Sequence, residues 1–200
     1  MKNLALQISA LFVGVSATLT AQPSPSPLAA EKPAFVFRSA AYWHRWSKND
    51  QHEFTPRGQE DLQKWTDMVT INLYPDARTG ETLATTANTV LENYKQHQAM
   101  VLKTDSVPRT PDRPAEHYIA VVFGRPNFLE AAFARFKPVE GAGCSIVYSH
   151  RIYGEKAGDQ MSAWLNANGP AVEKALMSWS DVPVPGPASR KAANPTLARG

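Results

Sequence analysis

Residues 65–74 read Trp-Thr-Asp-Met-Val-Thr-Ile-Asn-Leu-Tyr, and this stretch decides the fold class. The apolar residues Val69, Ile71 and Leu73 alternate with polar neighbours. A period of two residues is typical of a β-strand that has one face in a hydrophobic core. The alternation stops at Pro75-Asp76, where turn-forming residues end the strand. The sequence therefore predicts a half-buried strand here.

The spacing of the apolar residues changes directly after this strand. Leu83, Ala87 and Leu91 recur at intervals of four residues, which is the repeat of one helix face. Thr79 is suited to accept the first free backbone N–H groups as an N-cap. The pattern predicts a helix over residues 79–98.

Short strands are predicted on both sides of this strand and helix. Three of them precede residue 65, at residues 35–38, 42–46 and 52–55. Four follow the helix, at residues 100–104, 117–123, 128–137 and 145–153. Turn residues at 48–50 and 140–143 favour hairpin connections, so the sheet should be mainly antiparallel.

The last segment of the domain has a helical pattern again. Two apolar stripes, one at residues 161–165 and one at 172–179, lie on either side of Asn168-Gly169-Pro170. Glycine commonly ends a helix and proline commonly begins one, so we predict two consecutive helices. The whole pattern predicts an α+β fold in which helices pack on the faces of an antiparallel sheet, an α/β/α sandwich.

The N-terminal residues resemble a secretory leader. Lys2 precedes a mostly apolar run at residues 4–19, and small residues at Ala17 and Ala21 offer cleavage sites. The run is shorter than the roughly 20 apolar residues of a membrane span, so we expect no stable membrane anchor after cleavage. No cysteine stands near the cleavage region to carry a lipid. We therefore expect a periplasmic or secreted protein.

Composition divides the chain into four predicted parts. They are a signal peptide at 1–21, a Pro/Ser-rich linker at 22–34, a single α+β domain at 35–180, and a disordered Pro-rich tail at 181–200. The formal charge of the whole chain is +3. Without Lys2 and the charged residues of the tail, 17 basic and 17 acidic residues remain. This neutral body gives no reason to expect nucleic acid as a partner.

One segment carries a family resemblance. Residues 53–71 contain Phe54-Thr-Pro56, the turn Gly58-Gln59 and a Trp-Thr-Asp-Met-Val-Thr run that begins at Trp65. This segment resembles one found in small exported bacterial proteins of uncharacterised function. The order of the predicted elements also resembles the Mog1/PsbP-like fold. Members of that fold bind a GTPase, sit on a photosystem or remain unassigned, so the resemblance does not fix function and assigns no catalytic residue. The fold is often used for docking, which favours a binding role.

The sequence contains no complete catalytic or cofactor motif. No two histidines have the spacing of a zinc hydrolase helix, and no phosphate loop or nucleophile elbow is present. We therefore predict neither a metal nor a cofactor, and the catalytic residues stay unknown. His52-Glu53 or His150 could supply an acid or base only if the fold assembled them across the sheet. Cys144 is either a small buried hydrophobe, which we favour, or a reactive thiol.

The predicted loop at residues 105–116 is the most plausible contact region. Its length is unusual within a compact domain, and Arg109 and Arg113 could bind a carboxylate or phosphate. Alternatively, these arginines pair with acidic residues of the same loop. Trp65 is either part of a packing corner or a flat surface for a ligand, and His52 completes the set of candidate contacts.

These observations lead to two functional hypotheses. The first is an exported, non-enzymatic binding or protein-interaction module of the cell envelope, whose partner is an unknown envelope protein or a small anionic ligand. The second is an envelope hydrolase with a His/Glu-based site. The first is favoured because the body is neutral and no catalytic set is complete.

Overall fold

A computed structural model describes residues 32–183. The predicted leader, nearly all of the predicted linker and most of the predicted tail lie outside these residues. The first half contains β1 (Phe35–Phe37), β2 (Ala40–Lys48), β3 (Gln51–Thr55), β4 (Asp67–Tyr74) and α1 (Gly80–Gln96). The second half contains β5 (Met100–Val107), β6 (Glu116–Arg125), β7 (Phe128–Val139), β8 (Ala142–Tyr153) and α2 (Ala157–Ser178).

The eight strands form one sheet in the order β1-β2-β3-β4-β8-β7-β6-β5, and every neighbouring pair is antiparallel. The first four strands are a meander, and so are the last four. Helix α1 connects the two meanders, and β8 returns to pair with β4, where Val69 lies opposite Tyr148. The predicted α+β class with an antiparallel sheet is confirmed.

Two hairpin turns follow from residues that tolerate a positive φ angle. Asn49 and Asp50, between β2 and β3, have φ values of 49° and 65°. Two consecutive left-handed residues define the turn type that matches the twist of a hairpin. Gly141, between β7 and β8, has φ of 70°. The turns predicted at 48–50 and 140–143 are confirmed.

Helix α1 covers one face of the sheet. Thr79 caps it as predicted, because its side chain accepts a hydrogen bond from the Thr82 backbone N–H, and the Thr82 side chain accepts one from the Thr79 backbone N–H. The helix buries Leu83 and Ala87. The core on this side consists mainly of small and aliphatic residues: Ala77, Leu83, Ala87, Ile119, Val121, Ala132, Ala134, Phe136 and Val147.

Helix α2 covers the opposite face. It buries Met161, Val172 and Leu176 against alternate residues of the same strands. The sheet residues of this second core are richer in aromatic rings and include Tyr42, Phe54, Val69, Ile71, Tyr118, Phe133, Ile146 and Tyr148. Helices on both faces confirm the α/β/α sandwich.

The predicted break between two C-terminal helices is wrong. Helix α2 continues from Ala157 to Ser178 with Pro170 in its interior. Pro170 has no N–H, so the Asn166 carbonyl lacks its usual helical partner. Nearby, the Asn168 side chain donates to the Trp164 carbonyl. Because the apolar residues on both sides of Pro170 pack on one sheet face, tertiary packing outweighs the local preference for a break.

The predicted loop at 105–116 is shorter in the structure. Strand β5 extends to Val107 and β6 begins at Glu116, so Asp105 and Ser106 pair with Tyr118 and His117. Backbone pairing with β6 thus extends the strand through polar residues that lack the alternating apolar pattern of a strand. Thr110 and Arg113 form an isolated bridge within the remaining loop.

Two further observations concern burial and membranes. Cys144 is fully buried on the α2 side, and burial raises the pKa of its thiol to about 12. The prediction of a buried cysteine is confirmed. Neither helix within residues 32–183 has the length and apolar character needed to cross a lipid bilayer.

Candidate functional site

A groove of about 820 Å³ separates helix α2 from strands β5, β6 and β7. Its volume lies in the range of small-molecule sites, roughly 300–1,000 Å³. The floor and walls are mainly apolar, with Met100, Leu102, Tyr118, Ala120, Val122, Leu129, Phe133, Met161, Leu165 and Met177 among the lining residues.

Two glycines of α2 leave space in the wall of the groove. Gly158 and Gly169 line the groove, and a Cβ atom added to either would meet no heavy atom within 4 Å. Ala120, on the floor, also leaves space that a larger residue would fill. Another stripe of α2 packs on the core through Val172 and Leu176. The helix is therefore held to the sheet on one side and stands away from it on the other.

A few polar groups are placed in this apolar groove. The Lys103 ammonium lies 2.7 Å from the Glu173 carboxylate and 5.8 Å from the centre of the Tyr118 ring. Its hydrogen bond to Glu173 raises the pKa of Lys103. The Tyr118 hydroxyl has no hydrogen-bond partner within residues 32–183. Lys174 also lines the groove, and Asp105 lies 3.6 Å from the Lys103 ammonium.

The C-terminal end of α2 is anchored by a buried ion pair. Arg135 of β7 makes two hydrogen bonds to Glu116 of β6, at 2.8 and 2.9 Å. It also donates to the carbonyl oxygens of Leu176 and Trp179, which end the helix. Burial opposes ionisation of Glu116, but the hydrogen bonds and charge of Arg135 outweigh it and lower the pKa of Glu116.

The two candidate arginines of the β5–β6 loop differ in their surroundings. Arg113 lies 3.4 Å from the Oε2 atom of Glu116, so it extends the buried Arg135–Glu116 pair toward solvent. This contact agrees with the pairing alternative for Arg113. Arg109 is exposed, and it forms no ion pair with any residue that the structure describes.

A second polar cluster surrounds Asp67. Its Oδ1 atom accepts a hydrogen bond from the Tyr148 hydroxyl at 2.6 Å and lies 3.0 Å from Nδ1 of His150. The His150 ring stacks on Trp164 of α2, with centroids 4.0 Å apart and an interplanar angle of 6°. Burial opposes ionisation of Asp67, yet the hydrogen bonds from His150 and Tyr148 lower its pKa.

The residues proposed for a hydrolase do not meet in one place. His52 and Glu53 are neighbours on β3, so their side chains point to opposite sheet faces. His150 lies on the α2 face, beside Trp164, whereas His117 bonds Ser106 at the sheet edge. A single pocket holding these residues is therefore absent from residues 32–183.

Trp65 and His52 both lie inside the protein. The Trp65 ring is 4% exposed and is covered by the Arg151 guanidinium, whose carbon lies 3.8 Å from the ring centre. Arg151 in turn donates to Glu130. His52 is 7% exposed and its ring lies 6.0 Å from that of His44. In this conformation neither candidate presents its ring to a ligand.

The segment at 53–71, which carries the family resemblance, has a structural role in the fold. The Gln59 side chain accepts hydrogen bonds from the backbone N–H groups of Thr66 and Asp67, both at 2.8 Å. Arg45 joins this corner by binding Thr55 and the carbonyl of Pro56. The segment thus fixes the start of β4, and with it the position of Asp67.

The structure brings none of Arg109, Arg113, Trp65 and His52 into the groove. No group of three or more His, Cys, Asp or Glu side chains within residues 32–183 is arranged to hold a metal ion. Sequence reasoning missed the groove, although one signal was available. Gly158, Gly169 and Pro170 are residues of α2 without a long side chain, and all three line the groove.

Fold and groove together define the class: an α+β sandwich with one closed side and one open side. The chain belongs to the uncharacterised family whose model matches residues 33–178. No curated protein matches the sequence.

Two solved structures are similar in part. One is the Ran-binding protein Mog1p of Saccharomyces cerevisiae, at 12% identity and a TM-score of 0.39, covering 66% of this chain and 77% of that one. The other is human STARD10, at 11% identity and a TM-score of 0.25, covering 76% of each chain. The α+β class rests on the strand order itself, and neither similarity assigns a ligand or partner.

Proposed function

We propose that this protein is an exported, non-enzymatic binding protein that holds an amphipathic small molecule in the groove between α2 and strands β5–β7. The observation that carries the proposal is the groove of about 820 Å³, which is lined mainly by apolar side chains. Open apolar surface of this kind costs free energy unless a ligand covers it. A ligand with a hydrocarbon body is the occupant that such a surface favours.

The polar groups of the groove favour an acidic end on that ligand. Lys103 and Lys174 both line the groove, and the Tyr118 hydroxyl is a further donor there. A carboxylate or phosphate beside Lys103 would receive charge-assisted hydrogen bonds. We therefore expect a small anionic ligand that also has an apolar chain.

A fluorescence titration tests the site. The probes are cis-parinaric acid, which has an acidic end, and neutral N-phenyl-1-naphthylamine. We expect saturable binding of both, with the acidic probe bound more tightly. Ala120→Phe on the floor and Gly169→Leu on the helix wall fill the groove from opposite sides. Each should weaken binding of both probes by at least about tenfold, or about 1.4 kcal/mol.

Two further variants make the titration specific. Val36→Arg changes an exposed apolar residue of β1 and should leave binding unchanged. Lys103→Met should weaken binding of the acidic probe and leave binding of the neutral probe unchanged. Failure of the wild-type protein to bind either probe would contradict the proposal. Binding as tight as wild type by both groove-filling variants would contradict it too.

Export is the second part of the proposal. It is supported by Lys2, the apolar run at residues 4–19 and the small residues that follow. Expression of the full chain in a Gram-negative host, followed by cell fractionation and intact-mass measurement, tests it. We expect a periplasmic or secreted product that begins near Gln22. An uncleaved chain in the cytosol would contradict this part alone.

A further inference from the structure

The free edge of the sheet at β5 has unusual surface properties. Every residue from Met100 to Ser106 is exposed, so no other part of residues 32–183 covers this strand. The opposite edge strand, β1, has only three residues. Long uncovered edges pair readily with another strand, and proteins usually protect them.

Exposed apolar side chains are concentrated at this edge. Met100, Val101 and Leu102 are consecutive, and all three are among the exposed large hydrophobic residues of the described region. Met100 has the highest exposure of the three, at 60%. Burial of these side chains would stabilise an association with a strand that lies alongside β5.

The charges of β5 are complementary to those of a second β5. If two copies pair antiparallel with Thr104 opposite Thr104, Lys103 of each copy lies opposite Asp105 of the other. Within one chain Lys103 already lies 3.6 Å from Asp105, and both side chains are still exposed, at 46% and 57%, so each can also contact its counterpart in a second copy. Opposite charges and Thr–Thr pairs across neighbouring strands are each favourable.

A β-bulge limits how far this pairing extends. The register of β5 with β6 shifts between Val101 and Lys103, which leaves Leu102 out of the regular ladder. The regular new ladder is therefore centred on residues 103–105. The apolar residues 100–102 lie at both ends of it, where they would pack against the second copy.

We propose that a second copy of this chain pairs with β5 across a two-fold axis at Thr104 and doubles the sheet. Such an axis runs perpendicular to the sheet, so helix α2 of both copies lies on the same face. The two grooves then lie side by side over the joined strands. This inference rests on the edge strand, although Met100, Leu102 and Lys103 of that strand also line the groove.

Charge-reversal variants of the full chain test the register. Asp105→Lys alone places lysine opposite lysine twice across the axis, and Lys103→Asp alone places carboxylate opposite carboxylate twice. Sedimentation equilibrium should show a dimer for the wild-type chain and a dimer dissociation constant at least about tenfold higher for each variant. An equimolar mixture of the two variants restores opposite charges at each contact and should dimerise.

A crosslink provides a measurement that does not depend on the Lys103–Glu173 contact. In the proposed dimer, the two Thr104 Cα atoms are about 4.5–5.5 Å apart, a distance within the range of disulfide-bonded residues, so Thr104→Cys should crosslink. Thr85→Cys, on the exposed side of α1, is the matched control and should stay monomeric under denaturing, non-reducing electrophoresis after the same oxidant. Cys144 is buried and should not react in either variant.

The outcomes separate clearly. A wild-type dimer, weakened by each single reversal, restored by mixing and trapped by Thr104→Cys, supports the proposal. A monomeric wild-type chain would overturn it. So would a dimer that both reversals leave intact, or one that Thr104→Cys crosslinks no faster than Thr85→Cys does.

Discussion

The two sides of the sheet are closed in different ways. On the α1 side, small residues allow close contact, and a Cβ atom on Gly143 would lie only 2.7 Å from Ala77 Cβ and 2.9 Å from Leu83 Cδ1. On the α2 side, Gly158 and Gly169 face open space, and a groove of about 820 Å³ remains. The comparison indicates that one helix serves packing, while the other combines packing with an accessible surface.

The two helices are also held by different forces. Helix α1 relies on contact between small apolar residues. Helix α2 is held along one stripe by aromatic and aliphatic residues and at its C-terminal end by Arg135. An anchor at the end allows the other stripe of the helix to stand away from the sheet.

Removing the anchor should have the largest effect on stability. Arg135→Met leaves the buried Glu116 carboxylate with only the longer contact to Arg113, and it removes the Arg135 donor from the last carbonyl groups of α2. We expect a loss of about 3–5 kcal/mol in the free energy of unfolding, measured by urea denaturation at neutral pH. The double variant Arg135→Met/Glu116→Leu should lose less than the single variant. An equal loss in both would show that the charge left behind is not the cause.

The Arg135–Glu116 ion pair also makes the free energy of unfolding depend on pH. The folded-state pKa of Glu116 lies below its unfolded value. Its stabilising contribution is therefore present above the unfolded pKa and is lost as the pH falls through the folded pKa. Stability curves of the wild type and Glu116→Gln should converge in acid. Parallel curves down to low pH would contradict the assigned ionisation.

A matched pair of glycine substitutions sharpens the comparison of packing. Gly143→Ala forces a methyl group against Ala77 and Leu83 and should cost about 1–3 kcal/mol. Gly169→Ala places the same methyl group in open space within α2 and should stabilise the protein by roughly 0.5–1 kcal/mol. Thermal denaturation of both variants measures the difference. Equal effects would mean that the two sides do not differ in packing.

A matched pair of carboxylates compares polar groups on the two faces. Asp67→Asn removes the charge of a carboxylate that contacts Tyr148 and His150 on the α2 side. We expect a loss of about 1.5 kcal/mol at neutral pH. Because the folded-state pKa of Asp67 is lowered, the loss should disappear as the pH falls through that pKa. Urea denaturation at several pH values checks both statements.

Glu53 is the opposite case, on the α1 face. Burial is the largest influence and raises its pKa. Folding favours the protonated form of Glu53. The contribution of this group to stability is therefore fully present below its unfolded pKa and is lost as the pH rises through its folded pKa. Glu53→Gln should therefore raise stability at neutral pH by less than about 1 kcal/mol, with no gain in acid. A loss of stability at neutral pH would contradict the assignment.

The sequence predicts those features that depend on neighbouring residues. The alternation at Val69, Ile71 and Leu73, the turn at Asn49-Asp50 and the cap at Thr79 are local, and the structure confirms each of them. The antiparallel pairing of β2 with β3, of β6 with β7 and of β7 with β8 follows from short hairpin connections.

The features that depend on distant contacts could not be predicted. The groove requires Ala120 of the sheet and Gly169 of α2 to line one cavity, and the anchor requires Arg135 to meet both Glu116 and the end of α2. The continuity of α2 through Pro170 likewise depends on the sheet beneath it. Four residues were candidates on the basis of their side-chain chemistry alone, and the fold places all of them outside the groove: Arg109, Arg113, Trp65 and His52.

Methionine methyl NMR tests the central claim of an open ligand site most directly. Met100, Met161 and Met177 line the groove, whereas Met68 projects from the opposite sheet face. Titration of methyl-labelled protein with cis-parinaric acid should shift the signals of the three groove methionines and leave that of Met68 unchanged. Unchanged groove signals, or a shift confined to Met68, would contradict the account.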